Sequence, residues 1–227
     1  SMKGFIDCHC HISAGDFDKV GLLRNAGLLA LLAVAEHVGE FEKIIQLSQR
    51  FPGFIFPCLG VHPIQGTAPE PQRGALLQDL DSALPLIEKY KDHLVAIGEV
   101  GLDFTPRFVS GDADKDSQRQ VLIRQAEIAK QLDLPLNVHS RSAGRPTIHL
   151  LKEQGNCIYF YVHYMTRSMW TPACQGSVPA SQVLPHRSQQ TISVWTSLCA
   201  QGELETDDRL LPEAVWNSVV SVATEDR

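Results

Sequence analysis

Long apolar runs are missing from this sequence. The longest, residues 27–35, is far too short to cross a bilayer, so no membrane-spanning helix is read from it. A basic surplus is missing too. Twenty Lys and Arg face 26 Asp and Glu, a formal net charge of −6. That excludes a protein that grips nucleic acid by bulk charge; attraction to phosphate must be local or come from metal ions. A dense cysteine framework is absent as well. Cys8, Cys10, Cys58, Cys157, Cys174 and Cys199 are scattered, and Cys8 and Cys10 stand too close to bridge without strain. This usage predicts a reduced intracellular protein, cytoplasmic or nuclear. Cys8-x-Cys10 lacks the two-residue gap of zinc knuckles, which argues against a metal site there. No signal-peptide pattern is read at the N-terminus, in keeping with that expectation.

What remains is an ordinary globular composition, with 44% hydrophobic and 20% charged residues among 227. It suits one domain over residues 1–227. Short apolar runs recur at residues 5–9, 28–35, 54–59, 94–99, 134–139 and 157–162. Near-continuous runs of this length fit parallel strands covered on both faces. Between them, residues 40–50, 76–90, 118–132 and 147–153 place apolar residues at helical spacing. Strand alternating with helix predicts an α/β fold built from βαβ units. Two stretches are irregular. The first crossover, residues 12–27, is near the minimum length, and residues 171–191 dissolve into Ser, Gln and Pro.

The chemistry begins at Asp7-Cys8-His9-Cys10-His11. Strand side chains alternate, so Asp7, His9 and His11 share a face. Two imidazoles at that spacing can grip one metal, with Asp7 placed to orient them. By itself this pattern also fits two ordinary histidines at a strand end. The next signals come at other strand ends. Glu99 follows residues 94–98 directly, between the small residues Gly98 and Gly101, a poor place for a charge with no partner. Asp103 is a lesser candidate for a supporting role. His139 ends the next run, followed by Ser140 and Arg141. Ligand-type residues at the C-terminal ends of several strands are where a barrel builds its active site. His62, in Gly60-Val61-His62-Pro63, touches substrate, donates a proton, or caps a turn. Arg141 and Arg145 either pair with phosphate oxygens or belong to a solvated loop.

Taken together, IDCHCH at 6–11, GVHP at 60–63, IGEVGLD at 97–103 and NVHSR at 137–141 resemble the TatD family of metal-dependent deoxyribonucleases. The family lies within the amidohydrolase-type barrels. Residues 33–37 (AVAEH) and 139–146 (HSRSAGRP) are similar to its animal branch. The resemblance implies a TIM-type (β/α)8 barrel, and one or two divalent ions, zinc, magnesium or manganese, held by His9, His11, Glu99 and His139. It further implies that His163, after the sixth strand, and Asp207, in a late Glu-Thr-Asp, complete the ligand set. Residues 156–227 diverge from the family pattern, and the expectation for that end is an incomplete barrel.

The implied activity is hydrolysis of DNA phosphodiester bonds by a metal-activated water. Asp207 would take the proton, Glu99 would bridge the ions, and His62 with Arg141 and Arg145 would steady the phosphate. No membrane or obligate protein partner is implied. Two rivals stand beside this reading. One is a different metallohydrolase on the same barrel. The other is an inactive relative that binds metal or a partner without turnover.

Overall fold

A computed structural model describes residues 4–12, 28–67, 69–154, 160–163 and 219–222. Among these residues the central sheet has seven strands. They are β1 (Gly4–Cys10), β2 (Leu28–Val34), β3 (Ile55–Leu59), β6 (Ala96–Asp103), β7 (Leu136–Arg141), β8 (Phe160–His163) and β9 (Val219–Val222). A two-stranded hairpin, β4 (Ile64–Gln65) and β5 (Arg73–Gly74), sits in the loop after β3. Among the described residues four helices alternate with the strands: α1 (Phe41–Arg50), α2 (Leu80–Tyr90), α3 (Asp112–Leu132) and α4 (Gly144–Glu153).

From β1 to β8 the large strands pair in chain order and all in parallel. An order that never reverses is that of a barrel wall; a doubly wound sheet would turn back at a switch point. The expected TIM-type α/β architecture is therefore the one observed, with one departure. β9 pairs antiparallel with β1, Gly4 opposite Val222. That strand was not anticipated. The irregular first crossover and residues 171–191 lie outside the described residues, as does Asp207.

The helices form where apolar residues recur on one face. Phe41, Ile44 and Ile45 of α1, Leu80, Ala83 and Ile87 of α2, and Leu150 and Leu151 of α4 are all buried. Against them pack Leu31, Ile55, Leu59, Ile97, Val100, Leu102, Leu136 and Val138 from the strands, giving one continuous core. Two elements run longer than their apolar pattern. β6 continues past Glu99 to Asp103, with Val100 and Leu102 fully buried. α3 starts at Asp112 rather than 118. Its first turns are polar and carry Asp112 and Asp114, which suit a helix N-terminus.

The register shifts in the β1–β2 pairing and again in β6. Gly98 pairs with Asn137 and Val100 with Val138, so Glu99 has no register partner and forms a bulge. Bulges re-aim a side chain. Two glycines make the crowding there possible. A Cβ on Gly98 would lie 2.6 Å from the Asn137 Cβ. Gly101 has φ +152°, and a Cβ there would lie 2.0 Å from the His139 carbonyl oxygen. Gly101→Ala is accordingly expected to cost roughly 1–3 kcal/mol or more, by displacing the strand that carries His139. A denaturant midpoint equal to that of the wild type would show that β6 and β7 are not so tightly apposed.

Candidate metal centre

The C-terminal ends of β1, β3, β6 and β7 converge on Glu99, which is 1% exposed. His9 lies near the end of β1, with His11 just beyond. Their Nε2 atoms are 3.3 Å apart, and they stand 3.5 and 3.3 Å from Glu99 Oε2. On the other side, His139 Nδ1 is 2.8 Å from Glu99 Oε1, and His62 Nε2 is 3.2 Å from His139 Nδ1 and 3.8 Å from Oε1. Two donor trios thus share one carboxylate: His9, His11 and Glu99, then His62, Glu99 and His139.

The residues present fit divalent ions. Glu99 Oε2 is buried without a hydrogen-bond partner. A buried lone pair of this kind costs free energy unless something supplies positive charge. Across the first trio the donor separations of 3.3–3.5 Å match the edges of a coordination tetrahedron with bonds of roughly 2.0–2.1 Å.

Outer partners fix the imidazoles. His9 Nδ1–H donates to Asn137 Oδ1 at 2.8 Å, which leaves the Nε2 lone pair facing His11 and Glu99. His139 Nε2–H donates to Asp103 Oδ2 at 3.2 Å, which turns Nδ1 toward Glu99. Asp103 itself accepts the Thr105 N–H at 2.9 Å. His62 Nδ1 lies 3.0 Å from the Ile64 N–H and 3.2 Å from the Ile64 carbonyl. The tautomer that donates to the carbonyl leaves Nε2 as a ligand, whereas the one that accepts the N–H makes Nε2 a proton donor.

α3 holds two of these strand ends. The Gln125 carboxamide accepts the Val61 N–H at 2.8 Å and donates to the Val61 carbonyl at 3.0 Å, next to His62. One face-repeat earlier, Gln118 clasps Asp103 in the same way, 2.9 Å each way. Both glutamines are fully buried. Each satisfies a pair of backbone groups that the ladder leaves open as the strand ends.

The charges follow from this packing. Burial pushes the Glu99 carboxyl up, but the imidazoles of His11, His139 and His9, with His62 behind them, hold it well below the ordinary carboxylate range. Burial pulls His11 down, yet Glu99, aided by Glu36 and Glu40, leaves it above its usual value. Burial likewise lowers His139, and Asp103 with Glu99 more than reverses it. For His62 burial wins, and its pKa falls to about 4. Asp103 is pushed up by burial but drawn down to about 2 by His139 and Thr105.

Most of the residues picked from sequence meet here. His9, His11, Glu99 and His139 form the cluster. His62, read as a substrate contact, proton donor or turn cap, both caps the Ile64 turn and joins the second trio. Arg141 reaches the rim, its Nη1 3.9 Å from Asp103 Oδ2 with the side chain 42% exposed. Arg145 does not join the cluster; it lines a groove between α3 and α4. The backbone of His163 pairs in register with His139. Asn137 orients His9; the side chain of Asp7, expected in that role, lies outside the described ones. Gln118, Gln125 and Asn137 were missed. Their signal was present: the glutamines are seven residues apart on the face of α3 that buries Val121 and Leu122, and Asn137 alternates with His139 on β7.

The comparisons place the chain among known proteins. Residues 6–180 match the TatD related DNase family. Deoxyribonuclease TATDN3 of Homo sapiens is 64% identical over 157 residues, which cover 67% of this chain and 57% of the human one. The 3'-5' ssDNA/RNA exonuclease TatD of a Rahnella species is 32% identical over 147 residues, 63% of this chain and 51% of that one. The crystal structure of YjjV, a TatD homolog from Escherichia coli, has a TM-score of 0.57 at 25% identity, covering 73% of this chain and 62% of its own. The chain spans about half the length of the curated relatives it matches.

Two outcomes follow for the isolated protein. Replacing Gln125 by Leu strands both backbone groups of Val61 and is expected to lower stability by about 2 kcal/mol or more, read by denaturant unfolding. A change within about 0.5 kcal/mol would mean that water or another group replaces the clasp. Divalent-ion affinity, titrated by calorimetry, should fall as pH drops through the raised pKa values of His11 and His139, by about tenfold per pH unit for each proton displaced. The sign is set by competition: a proton on either imidazole removes a lone pair, so affinity is full above those values and lost below them. A pH-independent affinity would exclude these two residues as ligands.

Proposed function

This chain belongs to the TatD related DNase family, and from that premise we propose that it is a divalent-metal-dependent hydrolase of DNA phosphodiester bonds. The observation that carries the reading is Glu99, a buried carboxylate with one unpartnered oxygen between two imidazole-containing trios. The substrate class comes from the family and from the relatives, which are named as nucleases acting on DNA.

His9, His11 and Glu99 would hold one ion, and Glu99, His62 and His139 a second, with His163 and Asp207 further candidates by resemblance. Donors that mix imidazole with carboxylate suit zinc or manganese, and magnesium less well. Such ions, when bound, lower the pKa of water and offset phosphate charge. The chain's own residues do the rest. Asn137 keeps the His9 lone pair aimed inward, and Asp103 does the same for His139 by holding its Nε2–H. His62, neutral above about pH 4, is free of charge at neutral pH and can serve either as a ligand or, in its other tautomer, as a donor to a phosphate oxygen. Arg141, half-exposed at the rim, gives a forked cation within reach of a strand lying over the centre. Asp207 would accept the proton released from the attacking water.

The test is cleavage of end-labelled single-stranded DNA by the 227-residue chain with added magnesium, manganese or zinc, beside a panel of small esters and amides. We expect metal-dependent cleavage of DNA that falls to background in Glu99→Ala. Cleavage that survives in Glu99→Ala would sink the assignment of the centre. Turnover of small esters or amides with none of DNA would replace the nuclease reading with another metallohydrolase.

A further inference from the structure

Outside the centre, α3 and α4 leave an open groove of about 440 Å³ lined by Arg119, Arg145, Pro146, His149, Leu150 and Glu153. That volume lies in the range of sites that accept small-molecule-sized groups. Its charge is uneven. At one end His149 Nε2 lies 3.3 Å from Glu153 Oε1, which places a carboxylate there. At the other end are two guanidiniums. Arg145 stands in the first turn of α4 and makes no ion pair among the described residues. Arg119 pairs with Asp116, and its guanidinium carbon lies 5.3 Å over the Phe104 ring.

The guanidinium end adjoins the metal centre through the chain itself. α3 follows β6, which ends at Asp103, and α4 follows β7, which ends at Arg141. Phe104, beneath Arg119, is the next residue after Asp103, and its N–H donates to the Arg141 carbonyl at 3.0 Å. Arg119 therefore lies beside the end of β6, and Arg145, four residues past Arg141, lines the same groove. Pro146 and Leu150 give the groove an apolar floor beside those cations. Separated phosphates with apolar sugar and base surface between them are the complement of such a surface. The protein as a whole is acidic, so this local run of arginines stands out against its field.

We propose that the head of this groove is a phosphate-binding subsite for single-stranded nucleic acid, in which Arg119 and Arg145 hold a phosphodiester beyond the scissile one. It deepens the nuclease reading and rests on it for the identity of the ligand. The subsite adds affinity for longer strands without contributing to bond cleavage.

The experiment measures binding of a fluorescent single strand of about twelve nucleotides to the full chain by anisotropy, with chelator present so that nothing is cut. Strand length and salt are varied, and the same proteins are assayed for hydrolysis with metal. The wild type should bind the long strand more tightly than a trinucleotide. Arg119→Gln with Arg145→Gln should weaken the long strand by about tenfold and reduce the slope of log affinity against log salt by about 0.7, the loss of one phosphate contact on a single strand. Arg145→Gln alone, at an exposed helix position, should give part of both effects with an unchanged melting temperature. Lys152→Gln, an exposed charge of α4 that does not line the groove, should shift affinity by less than about twofold. Groove-dependent binding without hydrolysis would keep the subsite and overturn the nuclease reading. Hydrolysis with wild-type affinity and salt slope in the double variant would keep the nuclease reading and overturn the subsite. Failure of the wild type to bind the strand would overturn the subsite outright.

Discussion

A carboxylate taken out of water must find positive charge or hydrogen bonds, and the strand ends of this protein are arranged around that demand. Glu99 is buried at a bulge in β6, and one of its oxygens has no hydrogen-bond partner. An unpaired buried charge costs several kcal/mol, enough to threaten a domain of marginal stability. Four imidazoles from three other strand ends converge on it, and their presence holds the carboxyl ionised. The group is tolerable because of what surrounds it, and the surroundings make sense as a place for cations.

Convergence of that kind needs rigid positioning, and the means are steric and polar. Glycines at 98 and 101 let β6 lie against β7 so closely that a single methyl group would collide. α3 turns two glutamines inward and uses each carboxamide as a substitute peptide for a strand end, at Asp103 and at Val61. Asn137 and Asp103 then choose the ring nitrogen that His9 and His139 present to the centre. Fold and site are thus joined by a small set of backbone clasps. Damage to α3 would reach the centre without touching a ligand.

How much of this is legible in sequence depends on the range of the interaction. The alternating apolar runs and helices follow from local periodicity, so the α/β architecture can be read directly. His9 and His11 share a face because residues two apart on a strand do. Glu99 and His139 stand out as ligand types directly after apolar runs. His62 is ambiguous by sequence because its two ring nitrogens have different partners, and only the fold brings Nε2 to Glu99. The Asn137 contact to His9, the paired glutamines and the bulge at Glu99 all depend on contacts between residues distant in the chain. The separation of Arg145 from Arg141 is a matter of helix geometry: α4 begins at Gly144, and its first turn carries Arg145 toward α3. β9 adds a partner to β1 from more than two hundred residues away, with nothing in its short apolar run to indicate direction.

The central claim is that one buried carboxylate is shared by two cation sites. Diffraction from crystals grown with manganese or zinc, recorded at the absorption edge of the metal, tests it most directly. The account predicts two anomalous peaks flanking the Glu99 carboxylate, one beside His9 and His11 and the other beside His62 and His139. Peaks that leave Glu99 untouched, or a fully loaded protein with no peak between these histidines, would contradict it.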